Sequence, residues 1–255
     1  MYDFTYHRPS SLADVTKLLG SAEDAALLAG GQTLIPTLKQ RLAQPSDLVD
    51  LSGVSELKGI SAGGDAVTVG ASTCHAEVAG SADVKGKIPA LAALAGGIGD
   101  PQVRNKGTLG GSIANSDPAA DYPAAVVGLG ATVTTDKRSI AADNFFTGMF
   151  ETALEEGEII KSVSFPVPEK AGYAKFPNPA SRYAMVGVFA AKTANGVRVA
   201  VTGAGPSVFR VKAMEDALSA NWSPDAVAGV KVPADGLNSD IHGSAEYRAH
   251  LITVM

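Results

Sequence analysis

The chain has 255 residues, 45% of them hydrophobic and 18% charged, with a formal net charge of −5 and a single cysteine. That apolar content fills one large core or two small ones. The acidic balance and the lack of any Lys/Arg run argue against a surface that neutralises nucleic-acid phosphates or anionic lipid. One thiol, Cys74, excludes an internal disulfide or an iron–sulfur cluster held by this chain.

The N-terminus shows no basic segment followed by an apolar stretch, and no apolar run is long enough to span a bilayer, so a cytoplasmic location is expected. A short strand is predicted at Phe4-Thr5-Tyr6, then a helix on the spacing of Leu12, Val15, Leu18 and Leu19, with Ser11 and Asp14 suited to its start and Gly20 to its end. Ala25-Ala26-Leu27-Leu28 reads as a strand that stops at a glycine turn. A helix on Leu34, Leu38 and Leu42 follows up to Pro45, and then the strand Leu48-Val49-Asp50-Leu51.

From 57 to about 165 the signals mix. Short β segments fall at Val67-Thr68-Val69 and Ala131-Thr132-Val133-Thr134, apolar helices at 88–95 and 119–129, and a glycine-rich connection lies between those helices. After Phe165-Pro166-Val167-Pro168 a hairpin is expected, 185–193 and 197–202, joined by Asn195-Gly196, with helices at 212–218 and 245–254. No internal repeat or low-complexity tract is present.

Two glycine turns carry the chemistry. Gly30-Gly31 ahead of a helix frees backbone N–H groups for an anion and lets it approach the main chain, although a Gly-Gly strand-to-helix turn is more often only a turn. The second run is Gly107-Thr108-Leu109-Gly110-Gly111-Ser112, preceded by Asp100-Pro101-Gln102-Val103-Arg104-Asn105. Two such turns suit a diphosphate met by oriented amides. Neither has the P-loop lysine or the G-x-G-x-x-G fingerprint, which disfavours an NTPase or an NAD-binding Rossmann domain. Valine at Gly30 or Gly110 is expected to intrude on the diphosphate and leave the fold largely intact. Asp117 is placed to cap the next helix, with Asp121 in its first turn, where a carboxylate can accept from a sugar or ribityl hydroxyl.

Taken together, Ala29-Gly30-Gly31-Gln32-Thr33, the run from Asp100 to Ser112 and Asp117-Pro118-Ala119-Ala120-Asp121 closely resemble the medium, FAD-binding subunit of the molybdenum hydroxylases. Aerobic carbon monoxide dehydrogenase, xanthine dehydrogenase and related aldehyde and N-heterocycle oxidoreductases make up that family. The resemblance continues through Phe145-Phe146-Thr147-Gly148, Glu155-Glu156-Gly157-Glu158-Ile159-Ile160 and Ala174-Lys175-Phe176 to the hairpin.

It implies an α+β chain. Residues 1–52 and 53–168 would form a two-subdomain FAD-binding fold of the vanillyl-alcohol-oxidase type. Residues 169–255 would form a C-terminal α+β domain with an antiparallel sheet, like that of the carbon monoxide dehydrogenase flavoprotein. The resemblance further implies that Ala29, Gly30, Gly31, Gln32, Thr33 and Leu34, with Thr108, Gly110, Gly111 and Ser112, wrap the FAD diphosphate, and that Asp121 holds a hydroxyl of the cofactor. Ile98, Gly99, Ile160 and Lys175 would line the adenine or flavin. Tyr183 would cover one face of the isoalloxazine, although a tyrosine there serves equally well as packing for the strand that follows. The loop Phe176-Pro177-Asn178-Pro179-Ala180 is more proline-rich than the family pattern.

The same resemblance implies no catalytic side chain and no metal ligand in this chain. FAD here would collect electrons from two [2Fe-2S] clusters on a small subunit, substrate being oxidised at a molybdenum cofactor on a large subunit, in a dimer of heterotrimers. A self-contained FAD oxidase and a flavin-free assembly scaffold are the alternatives. His75, beside Cys74 and Glu77, reads as packing at a helix start, Glu77 lying near that start. Arg104 and Lys106 read as facing solvent or a neighbouring subunit, and the acidic run Glu155-Glu156-Gly157-Glu158 as a solvated loop.

Overall fold

Ser11 begins the first helix as its side chain suggests. Its hydroxyl accepts from the Asp14 N–H at 3.2 Å, and Val15 supplies the buried face of α1 (Leu12–Ser21). In this computed structural model, which describes residues 1–255, α1 lies between β1 (Thr5–His7) and β2 (Ala25–Leu28); α2 (Leu34–Lys39) and β3 (Asp47–Asp50) follow. The strands form a parallel sheet in the order β1-β3-β2, with Thr5 and Ala25 both opposite Asp47. The second helix is shorter than its leucine spacing predicts. Arg41 takes a left-handed φ of 58°, which breaks the helix and leaves Leu42 74% exposed.

The second sheet contains β4 (Ile60–Gly63), β5 (Ala66–Gly70), β6 (Thr132–Thr135), β7 (Ser139–Ala141) and, beyond the short hairpin β8 (Phe146–Gly148) and β9 (Glu151–Thr152), β10 (Ile160–Pro166). Its order is β4-β5-β10-β6-β7, and Val163 of the central strand pairs with both Val69 and Val133. Period-two alternation puts Val67, Val69, Val133, Val163 and Phe165 on one buried face. Helices α3 (His75–Gly80), α4 (Ala82–Lys87), α5 (Pro89–Gly96), α6 (Pro101–Arg104), α7 (Leu109–Asn115) and α8 (Tyr122–Gly128) connect β5 to β6. Every residue of α8 is buried, as its unbroken apolar sequence requires. It begins at Tyr122, not near 119, because Asp117 closes a tight turn with the Ala119 N–H at 2.8 Å and caps no helix.

The third sheet is antiparallel, β11-β12-β13-β14 in order, from β11 (Lys170–Pro177), β12 (Ala184–Thr193), β13 (Gly196–Thr202) and β14 (Phe209–Arg210). Thr193 pairs with Gly196, so the two-residue loop is Ala194-Asn195, one position earlier than expected, and Gly196 opens its strand at φ 109°. Helices α9 (Lys212–Ala220), α10 (Pro224–Val227) and α11 (Ala245–Val254) complete this part. Met214, Leu251 and Ile252 from α9 and α11 pack on Val186, Val199 and Val201 of the sheet.

The opposite face of this sheet covers α8 through Phe189, Ala191 and Ala200, which join the same core as the second sheet. Gly128 permits the approach, since a Cβ there would lie 2.8 Å from the Phe189 ring. Arg198 donates to the Val127 carbonyl at 2.7 Å at the C-terminal end of α8 and pairs with Asp143. Further bonds tie the sheet to 118–120: Gly203 N–H to Pro118 O at 2.7 Å, Thr202 hydroxyl to Ala120 O at 2.6 Å and Ala184 N–H to Ala119 O at 3.2 Å. No helix is long and apolar enough to cross a membrane.

Candidate functional site

A cavity of about 560 Å³, in the range of small-molecule and cofactor clefts, is lined by segments of the first two sheets and their connections and by Ser181, Arg182 and Tyr183. Both glycine turns border it. Of the residues the family resemblance singles out, all line the cavity except Lys175.

At the first turn the backbone N–H groups of Gly30, Gly31, Gln32 and Thr33 donate to no acceptor in the chain. Gly31, at φ 69°, turns the strand into α2 and so aims this row of donors. The second turn is different. Leu109 N–H goes to Thr73 O at 3.1 Å, Gly110 N–H to Ala71 O at 2.8 Å and Gly111 N–H to the Thr108 hydroxyl oxygen at 3.1 Å. What it offers a ligand is the Thr108 N–H, the hydroxyls of Thr108 and Ser112, and room. The expected symmetry of two amide nests is therefore corrected to one nest facing one hydroxyl-bearing wall.

The glycines also act differently from expectation. A Cβ on Gly30 would stand 2.2 Å from Lys106 O, and one on Gly110 would stand 2.6 Å from the Ala71 Cβ. These glycines let two backbone segments touch each other; their missing side chains do not face the cavity. Gly111 comes nearer to the expected role, since its Cβ would meet the Thr108 hydroxyl at 3.0 Å and Ala29 at 3.5 Å.

Asp121 is 5% exposed and engaged within the chain. It accepts from the Tyr173 hydroxyl at 2.5 Å and pairs with Lys175 Nζ at 3.0 Å, and that ammonium also donates to Gly97 O at 2.8 Å. Burial pushes the Asp121 carboxyl up, against the opposing pull of Lys175 and Tyr173. Lys175 thus stands behind the cavity wall and reaches the site through Asp121. Arg104 donates to Ile98 O at 2.9 Å and Gly99 O at 3.1 Å, which corrects the expectation that it faces solvent or a neighbour; it holds that wall in place.

The proline-rich loop is organised by Asn178. Its side-chain oxygen accepts from Ala180 N–H at 2.9 Å and Ser181 N–H at 3.1 Å, and its backbone N–H donates to Tyr183 O at 2.8 Å. Arg182 takes a φ of 62° within this closed loop, and Tyr183 is presented at the cavity mouth, 47% exposed.

Two residues that the sequence reading assigned to other roles stand in the cavity wall. Glu158, expected in a solvated acidic loop, is 5% exposed. It accepts from Arg138 at 3.0 and 3.1 Å, from the Thr135 hydroxyl at 2.7 Å and from the Glu155 N–H at 2.8 Å. Those donors, Arg138 first, hold its pKa at about 2. The sequence signal was Arg138, which closes the turn after β6, but nothing local links it to Glu158. His75 is 4% exposed at the start of α3, whose first turn is closed by Glu77 accepting from the Cys74 N–H at 2.8 Å. His75 has no hydrogen-bond partner at Nδ1 and also lines the cavity.

An FAD-like dinucleotide fits these walls. The row of free amides suits a diphosphate, the small residues allow close approach, and the nearby carboxylates Asp121 and Glu158 are already paired with cations.

Comparison with known proteins shows the family and the fold. Residues 2–168 match the family model described as the FAD binding domain in molybdopterin dehydrogenase. The chain is 38% identical to the nicotine 6-hydroxylase medium subunit of Paenarthrobacter nicotinovorans, over 97% of this chain and 92% of that one. It is 33% identical to the carbon monoxide dehydrogenase medium chain of Hydrogenophaga pseudoflava, over 96% and 91%. The fold superposes on a chain of quinoline 2-oxidoreductase from Pseudomonas putida 86 with a TM-score of 0.91 and 32% identity, covering 99% of this chain and 94% of that one.

Proposed function

The chain belongs to the FAD-binding domain family of the molybdopterin dehydrogenases, and from that membership we propose that it is the electron-transfer subunit of a molybdenum hydroxylase, working in the cytoplasm. The observation that carries the reading is the cavity whose first turn presents four unpartnered amides opposite Thr108 and Ser112.

In this reading the amides of Gly30, Gly31, Gln32 and Thr33 bind the FAD diphosphate, with Ala29 and Leu34 flanking them and Thr108, Gly110, Gly111 and Ser112 forming the opposite wall. Asp121, held by Lys175 and Tyr173, keeps acceptor capacity for a cofactor hydroxyl. Ile98, Gly99 and Ile160 line the ring systems, and Tyr183 shields the isoalloxazine from water at the mouth. Residues 1–52 and 53–168 form the two subdomains of a vanillyl-alcohol-oxidase-type FAD fold, with 169–255 as the C-terminal domain. When bound, FAD supplies exchange of single electrons with a cluster and of electron pairs with a terminal acceptor. No side chain of this site is required as acid or base toward the organic substrate.

The partners in this proposal are a small subunit with two [2Fe-2S] clusters and a large subunit with the molybdenum cofactor, assembled as a dimer of heterotrimers. Support comes from relatives whose names mark them as medium subunits or chains of hydroxylase and dehydrogenase complexes. The test is the visible spectrum and metal content of the native complex purified through this chain. FAD, iron, molybdenum and two further chains are expected. FAD on a solitary chain that alcohols or heterocycles reduce would replace the proposal with a self-contained oxidase, and a colourless chain would leave only a scaffold.

A further inference from the structure

His75 is the one residue of the cavity wall with a side-chain polar atom that is sealed from solvent and makes no hydrogen bond. Its Nδ1 is sealed from solvent and makes no hydrogen bond, and its Nε2 has no partner in the chain either, although it is not sealed. The ring sits directly behind the second turn, where a Cβ on Gly107 would lie 2.6 Å from Nε2. The first turn arrives at the same place, since Gly30 abuts Lys106 O and the Gly107 Cα. The imidazole therefore borders the junction of the two turns. Nδ1 is out of a cavity ligand's reach, so the ring atom a ligand can meet is Nε2, which the chain leaves without a partner at the cavity wall.

We propose that His75 contacts the bound cofactor, giving its Nε2 as hydrogen-bond partner to the central sugar–diphosphate part of FAD. The inference rests on the reading of the cavity as an FAD site. Burial, and then the nearby Arg104 charge, lower the His75 pKa to about 4, so the ring binds as a neutral donor or acceptor and contributes no charge to the diphosphate. Tyr122 does not share this role. Its ring centroid is 5.3 Å from that of His75 and its hydroxyl is also unpartnered, but Tyr122 is wholly enclosed in the core and does not line the cavity.

The test uses the full chain stripped of flavin and titrated with FAD, followed by flavin fluorescence and by ¹⁵N NMR of the histidine rings. His7, His242 and His250 serve as internal references. FAD is expected to shift the His75 ring nitrogens and leave the references unmoved, without proton uptake between about pH 6 and 8. His75→Phe, which keeps the ring and its packing, should weaken FAD about tenfold. His75→Gln should recover part of that loss, and Tyr122→Phe should bind as the parent does. FAD binding that leaves the His75 nitrogens unmoved overturns the inference, as does parent-like affinity in His75→Phe or a loss in Tyr122→Phe equal to it. Because the NMR measurement needs no variant, it decides even if a substitution misfolds. A parent chain that binds no FAD refutes the reading of the cavity itself, a separate and distinguishable failure.

Discussion

Replacing Glu158 with glutamine tests whether the carboxylate under the cavity rim is held by charge. The side chain of Glu158 is fully enclosed and faces a bidentate Arg138 that is itself 43% exposed. Its pKa stands at about 2 in the folded chain against an ordinary 4.5. At roughly 1.4 kcal/mol per pH unit this sets an upper bound of about 3.5 kcal/mol, which screening at the exposed guanidinium reduces to roughly 1–2 kcal/mol. A depressed carboxylate contributes its full stability above the unfolded pKa and loses it as pH falls through the folded one. The gap between parent and Glu158→Gln in urea-unfolding free energy should therefore be full at neutral pH, close between about pH 4.5 and 2, and vanish below. A gap that stays constant through acidification would show that shape and hydrogen bonding, not ionisation, make the interaction. No gap at neutral pH would refute the reasoning outright.

Gly110→Val should destabilise the chain by about 1–3 kcal/mol as well as lose flavin, because its side chain strikes Ala71; melting curves and flavin content after gel filtration, read together, separate this from simple steric exclusion of a ligand. Lys175→Met strands a buried carboxylate at Asp121 and should cost about 3 kcal/mol near neutrality. That deficit shrinks on acidification as Asp121 takes up a proton, which denaturant titrations at two pH values would detect. Arg248→Met removes a guanidinium that serves Met185 O at 2.7 Å and Gly203 O at 3.1 Å, and a loss of about 2–4 kcal/mol in thermal unfolding is expected.

Local signals were legible where local forces decide the outcome. Ser11 starts a helix because its own hydroxyl satisfies a first-turn amide, and 184–202 form a hairpin because apolar runs flank the Asn195-Gly196 turn signal, although the loop closes one residue earlier than that pair suggests. Readings failed where the partner is distant in sequence. Leucine spacing extended α2 through Leu42, but the chain reverses at Arg41. Glu158 reads as one of three surface acids until Arg138 and Thr135 are brought against it from the neighbouring strand turn. The glycines at 30 and 110 were found from sequence, but the surfaces they accommodate, Lys106 and Ala71, are visible only in three dimensions. Lys175 was identified with the site and stands one layer behind it, a distinction composition does not encode.

The strap 118–120 is fastened to the third sheet by Gly203, Thr202 and Ala184. Asp121, next along the chain, is clasped by Tyr173 and Lys175 from β11 of that sheet. Part of the ligand chamber is thus upholstered from outside the 2–168 segment that the family model describes. The portion of sequence that carries the recognisable signature is consequently not a self-sufficient part. A graft or recombination event that moved the signature alone would deliver a chamber with a loose wall, so the inherited unit has to include the sheet that braces it.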